Sequence, residues 1–170
     1  MAILELVKAP DPRLKLLSRP VTEVDRALKR FMDDMFDTMK DANGIGLAAI
    51  QVGIPKSVAV IDLDPGGPNS MPLYLINPRI IEVSEEQTVY HEGCLSVPEI
   101  WEDVSRPSRL TAEYTDEKGR KQTVNAEGLL AICLQHEIDH INGLLFIDHL
   151  SKLKRSIALR KSAKLKRKND

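Results

Sequence analysis

The chain has 170 residues, 42% of them hydrophobic and 29% charged, with a formal net charge of −1. That is enough chain and apolar content to bury the core of one globular domain, which excludes a disordered or fibrous protein. Two cysteines are too few for a disulfide scaffold and point to a reducing compartment. The longest uncharged stretch, residues 42–55, falls short of the ~20 residues that cross a bilayer. The run after Met1 carries Glu5 and no basic leader, so the chain is expected to have no signal peptide, to make no membrane contact and to be cytoplasmic.

Residues 22–41 predict a helix. Thr22 is placed to cap it, and Val24, Leu28, Phe31, Met32, Met35, Phe36 and Met39 recur at helical spacing until Asn43-Gly44 stops it. Residues 43–53 follow, with three glycines, small residues and the amide of Gln51. The Lys-Ser/Thr of a phosphate loop is missing. Two readings stay open for this segment: a tight packed turn, or backbone laid open to a ligand by its glycines. Residues 57–63, 73–83 and 109–115 are β-branched or alternating and read as strands. Residues 64–72 read as a loop, as do residues 91–98, where Gly93 and Pro98 bend the backbone. Residues 117–120 form a hairpin turn into a short strand at 122–124. Several hairpin-linked strands and few helices, without regular alternation, predict an α+β domain. Residues 129–141 are apolar nearly all round (Leu129, Leu130, Ile132, Leu134, Ile138, Ile141), which predicts a buried central helix.

That helix carries His136-Glu137-Ile138-Asp139-His140. Residues four apart share a helix face, so His136 and His140 can offer nitrogens to one ion, with Glu137 beside them to handle the proton of an attacking water. A catalytic site of this kind takes three protein ligands. Glu137 is the last Glu of the chain, and the position six beyond His140, where one peptidase group places a His, is Phe146. His149 lies in an amphipathic stretch where exposure is expected. The third ligand is therefore expected upstream. Cys133 shares the histidine stripe but stands roughly 10 Å from His140 along the axis, too far for bonds of about 2.0–2.3 Å, and reads as a pocket or core residue. Cys94, on a separate segment, can approach the helix from the side and complete a Cys-His-His set.

Three segments occur in order: Gly44-Ile-Gly-Leu-Ala-Ala-Ile-Gln51, Glu92-Gly-Cys-Leu-Ser96 and Gln135-His-Glu-Ile-Asp-His140. Together they resemble the signature segments of the peptide deformylases, enzymes that remove the formyl group from the initiator methionine of nascent polypeptides and release formate. The resemblance runs from about Val7 to Leu150. It implies antiparallel sheets around the helix that bears the two His, flanked by an N-terminal and a C-terminal helix. It implies one divalent metal, Fe2+ in the cell and replaceable by Zn2+, Ni2+ or Co2+, held by Cys94, His136 and His140. Glu137 is then the general acid/base, and the Gln51 amide and Leu95 N–H stabilise the oxyanion. Ile45 and Gly46 hold the peptide as an added strand, and Leu129, Ile132 and Cys133 line the methionine pocket. Trp101 departs from the pattern, standing near where bacterial relatives often carry an Arg that grips the peptide.

Residues 151–170 hold nine of the 24 basic residues and one of the 25 acidic ones, a net of +8 against −9 on the remainder. A polyanionic partner and a merely solvated helix end both fit this asymmetry. Leu150, Leu153 and Ile157 predict a helix whose inner end packs on the body. Arg160, Lys161, Lys164, Lys166, Arg167 and Lys168 are expected to form an exposed arm without acidic partners. The resemblance implies ribosome docking by this tail. The expected organisation is a catalytic domain over residues 1–150 with 151–170 as its basic helical extension, acting as a monomer. Two rival readings are an ordinary His-Glu-x-x-His endopeptidase, which lacks its downstream ligand here, and an RNA-binding module with a closed structural metal, which lacks a fourth ligand.

Overall fold

The computed structural model describes residues 2–170. Helix α1 spans Arg26–Asp41, followed by strands β1 (Gly46–Ala48), β2 (Val58–Ile61), β3 (Leu73–Val83), β4 (Gln87–Cys94), β5 (Val97–Pro107), β6 (Arg109–Thr115) and β7 (Lys121–Glu127). Helix α2 (Gly128–Ile141) comes next, and α3 (Lys152–Asn169) closes the chain. The strands form a five-stranded sheet in the order β1-β2-β3-β6-β7 and a separate two-stranded ribbon, β4-β5. Every pairing is antiparallel, as the α+β expectation required.

Strand β2, Val-Ala-Val-Ile, shows how the layers are held. Ala59 and Ile61 face α2 with Ala131, Leu134 and Ile141. Val58 and Val60 face the other way, onto Met32, Met35 and Met39 of α1. A strand covered on both faces has no polar side, which is why it is a continuous apolar run. Helix α2 sits between the sheet and the ribbon and is buried along most of its length, so its chemistry-bearing residues lie inside the protein.

Several boundaries differ from the sequence expectation, among them β2, which spans Val58–Ile61 rather than 57–63. Helix α1 begins after Asp25, whose carboxylate accepts the Leu28 N–H at 2.8 Å; Asp25, not Thr22, satisfies the free amides of the first turn. Residues 91–98 are not a loop but the end of one long hairpin, whose strands β4 and β5 pair from Gln87↔Pro107 to Cys94↔Val97. Strand β7 extends through Glu127 rather than ending at Val124. A short 3-10 turn, Phe146–His149, precedes α3.

The tail also differs. Leu153 and Ile157 are 68% and 54% exposed, whereas Ala158 and Ser162 are buried. Small residues four apart let α3 lie close on the body, where Ala158 joins Val7, Val97 and Phe146 in one cluster. The basic residues are partly paired: Lys154 with Glu102 at 3.3 Å, Arg155 with Asp148 at 3.8 Å and Lys166 with Asp11 at 4.0 Å, while Lys161 Nζ donates to the Glu99 carbonyl. The extension is therefore a docked helix, and the expectation of an unpartnered arm is corrected. Ala158→Leu should overpack this seam and cost about 1–3 kcal/mol, seen as a fall in Tm, whereas Leu153→Ser should stay within about 0.5 kcal/mol of the parent. Equal Tm for the two variants in thermal denaturation would contradict this seam.

Candidate metal centre and substrate pocket

Cys94 lies at the end of β4, where the hairpin turns through Leu95 and Ser96, and reaches α2 from the side. Its Sγ is 3.3 Å from His140 Nε2, and the two histidine Nε2 atoms are 3.2 Å apart. Ligand atoms around a tetrahedral ion with bonds of about 2.0–2.3 Å stand roughly 3.3–3.6 Å from one another, so the three donors fit one ion. Cys94, His136 and His140 are the group of potential metal-binding side chains found among the described residues. One thiolate and two imidazoles suit a borderline transition metal rather than Ca2+ or Mg2+.

The histidines are held from behind. His136 Nδ1 donates to Glu92 Oε1 at 3.0 Å, which leaves its Nε2 free to face the other ligands. Arg106 grips Glu92 with two bonds of 2.7 and 3.0 Å and reaches Asp139 at 2.9 Å. Asp139 in turn accepts from His149 Nε2 at 2.8 Å, so His149, exposed as expected, joins this network from the surface. Glu92 and Arg106 are 3% and 4% exposed. Burial pushes the Glu92 carboxyl up, but its bonds from His136 and Arg106 outweigh that and hold it below the usual range. The same contest raises the Arg106 guanidinium, where burial is overcome by Glu92 and Asp139. Burial pulls His140 well below its ordinary value, with His136 adding to the effect, which keeps it neutral as a ligand must be. Burial also pulls His136 down, but hydrogen bonds to Cys94 and Glu92 carry it well above 6.5; a bound cation would stand in place of that proton.

Glu137 lies beside the ligands, 3% exposed, with Oε2 free of any hydrogen bond among the described residues. Burial pushes its carboxyl up to about 7, the range a general acid/base needs at neutral pH. Gly46 of β1 passes so close that a Cβ there would overlap the Glu137 carboxylate. A glycine at this point is a demand of close approach. Gln51 is buried, with its Oε1 accepting from Ala48 N–H at 2.9 Å. That bond fixes the amide so that Nε2 points at Ser96 Oγ, 3.1 Å away, and at Cys94 Sγ, 3.6 Å away.

One cavity of about 560 Å³ brings these groups together, lined among others by Ile45, Gly46, Gln51, Cys94, Leu95 and Glu137. Leu129, Ile132, Cys133 and His136 form its α2 wall, and Trp101 stands on the ribbon side. His140, fully buried, lies behind this wall. Cys133 sits in the lining without joining the ligand group, its thiol pushed up to about 12 by burial. Both readings left open for the glycine segment hold: it is tightly packed, and it faces the cavity. Sequence reasoning missed Glu92, Arg106 and Asp139 as a supporting set. Reading residues 91–98 as a loop hid the one available signal, that Glu92 and Cys94 are two apart on a strand and share a face.

The chain matches the family model "Polypeptide deformylase" over residues 3–156. It is 52% identical over 164 residues to a peptide deformylase of Rhizobium meliloti (strain 1021), covering 96% of this chain and 94% of that one. It is 54% identical over 172 residues to one of Rhizorhabdus wittichii, covering 98% and 97%. The solved structure of the Ehrlichia chaffeensis peptide deformylase in complex with actinonin superposes with a TM-score of 0.93 at 42% identity, over 98% of this chain and 99% of that one. With the metal-ligand geometry, the supporting ion pairs and the cavity in agreement with this similarity over nearly the whole chain, the protein belongs to the peptide deformylase family.

Proposed function

We propose that the protein is a metal-dependent hydrolase that removes the N-formyl group from the initiator methionine of nascent polypeptides and releases formate. The observation that carries this reading is the convergence of the Cys94-His136-His140 donors with the Glu137 carboxylate and the Gln51 amide in one cavity. Fe2+ is the proposed ion in the cell, with Zn2+, Ni2+ or Co2+ able to replace it. Such an ion, when bound, supplies Lewis acidity and lowers the pKa of water towards neutrality from about 15.7.

The residues divide the remaining work. Glu137, held near neutrality by burial, takes the proton of the attacking water and later delivers it to the leaving amine. The Gln51 amide, oriented by Ala48, and the Leu95 N–H meet the developing oxyanion. Ile45 and Gly46 offer backbone to the peptide as a neighbouring strand. Leu129, Ile132 and Cys133 take the methionine side chain against α2. The reading also covers residues 1–150 as a catalytic domain extended by α3, a cytoplasmic monomer, and ribosome docking through Arg160, Lys164, Arg167 and Lys168, which make no ion pair among the described residues. Among the described residues no helix is long and apolar enough to cross a membrane. Glutamate at those four positions should abolish salt-sensitive co-sedimentation with ribosomes; unchanged binding at low salt would remove the docking role.

Metal content tests the ligand set. Cys94→Ser should lose the ion and Cys133→Ser should keep it. Glu92→Gln, which takes the ionised partner from His136, should weaken binding about 10–100-fold. A Cys133→Ser protein that comes out metal-free beside a loaded Cys94→Ser protein overturns the assignment.

Turnover of formyl-Met-Ala-Ser, followed by formate release, tests the roles. Glu137→Gln should retain metal and lose at least ~10²-fold in kcat. Gln51→Ala should lose ~10²-fold or more at unchanged metal content. Near-parent activity in either variant would take that residue out of the mechanism.

A further inference from the structure

Asp139 stands in the last turn of α2, beside the His140 ligand. A negative charge at a helix C-terminus is opposed by the free carbonyls there, so this carboxylate stays in place only where donors hold it. Arg106 Nη1 at 2.9 Å and His149 Nε2 at 2.8 Å both donate to the same oxygen, Oδ2. No other hydrogen bond reaches the carboxylate among the described residues. The Arg106 side chain is buried, whereas those of Asp139 and His149 are 19% and 37% exposed. His149 is thus the outermost member of a chain that runs inward through Asp139, Arg106 and Glu92 to Nδ1 of the His136 ligand. The turn that carries it is itself fixed. Phe146 and Ile147 are buried, and the Phe146 ring stacks on His136 with centroids 6.2 Å apart and an interplanar angle of 21°. Asp148 accepts the Leu145 N–H at 2.8 Å and pairs with Lys15 at 2.6 Å. On the other side of the site, the β4–β5 register slips between Glu92↔Glu102 and Cys94↔Val97, leaving Pro98, Glu99, Ile100 and Trp101 opposite Gly93 alone. Strand pairing does not brace the ribbon next to its ligand, so the bracing falls to side chains.

We infer that His149 is a positioning residue of the metal centre and that, from the protein surface, it sets how long the ion is retained. The inference rests on the Cys94-His136-His140 ligand reading. Without a donor at residue 149 the Asp139 carboxylate has Arg106 as its one partner and can turn outward to water, drawing the guanidinium with it. Arg106 then grips Glu92 in no single geometry, Glu92 no longer fixes the His136 ring, and the ligand nitrogen loses its aim. An ionised carboxylate only accepts, so Nε2 carries the hydrogen whether or not Nδ1 is protonated. The bond therefore holds in both states of the imidazole. A surface ion pair by itself contributes little to stability. The effect of His149 accordingly lies in retention of the ion rather than in Tm.

The test follows release of Co2+ from the loaded protein into excess chelator, read from the charge-transfer band between the Cys94 thiolate and the ion. His149→Phe keeps a ring and removes the donor. It should release Co2+ about three- to tenfold faster than the parent, less than the 10–100-fold loss typical of a direct partner of a ligand. His149→Gln, whose amide can donate in place of Nε2, should release it within about twofold of the parent. A role in folding alone would not be rescued by that one donor. In an Asp139→Ala background His149→Phe should add no further acceleration, because the path runs through that carboxylate; an additive effect there would overturn the path. Co2+ bound by the parent without a thiolate band would overturn the ligand reading itself. A normal band with unchanged release from His149→Phe, or with equal acceleration in His149→Phe and His149→Gln, overturns the positioning role alone.

Discussion

The buried bidentate pair between Arg106 and Glu92 is the interaction on which the rest of the site depends. One guanidinium joins the two arms of the β4–β5 ribbon and, through Asp139, the ribbon to α2. Taking these charges out of water costs several kcal/mol per ion, and removing one partner of such a pair typically costs 3–5 kcal/mol because the other is left uncompensated. The arrangement therefore contributes geometry more than net stability. It sets the distance between the strand that brings Cys94 and the helix that brings the two histidines.

From that constraint the electrostatics of the cavity follow. Glu92 stays ionised in the interior because Arg106 and His136 both donate to it, and an ionised Glu92 in turn fixes which histidine nitrogen is free. Glu137, one residue along the helix, has no such cation of its own, so burial dominates and its carboxyl rises to about 7. Two carboxylates beside the Cys94-His136-His140 group thus acquire opposite character from their surroundings, one held ionised and one raised towards neutrality.

Much of this was legible in the chain. The histidine spacing, the apolar sweep of α2 and the position of Gln51 after a glycine segment are local patterns, and local patterns survive in sequence. Strands Leu73–Val83 and Arg109–Thr115 were legible to the residue because each is bounded by loop or turn residues. The ribbon was not. Glu92 and Arg106 are charged, and charged residues are exposed by default; only a partner fourteen residues away makes them internal. The docking of α3 was hidden for a related reason. The conspicuous leucine and isoleucine of its first turns face water, while the contact is made by Ala158 and Ser162, small residues whose burial depends on how closely the helix can approach.

The unequal register of the ribbon has a consequence for how this protein can diverge. Between Glu92 and Cys94 the strand tolerates no change of length, since one residue more or fewer would turn the sulfur to the opposite face and separate it from α2. The four residues facing Gly93 on the other arm lie outside the paired register. Insertions, deletions and exchanges there can reshape the mouth of the cavity without displacing a ligand. The cavity mouth and the Cys94 thiol share one hairpin, yet they are uncoupled in the only respect that drift in sequence tests, the freedom to alter one while the other stands still.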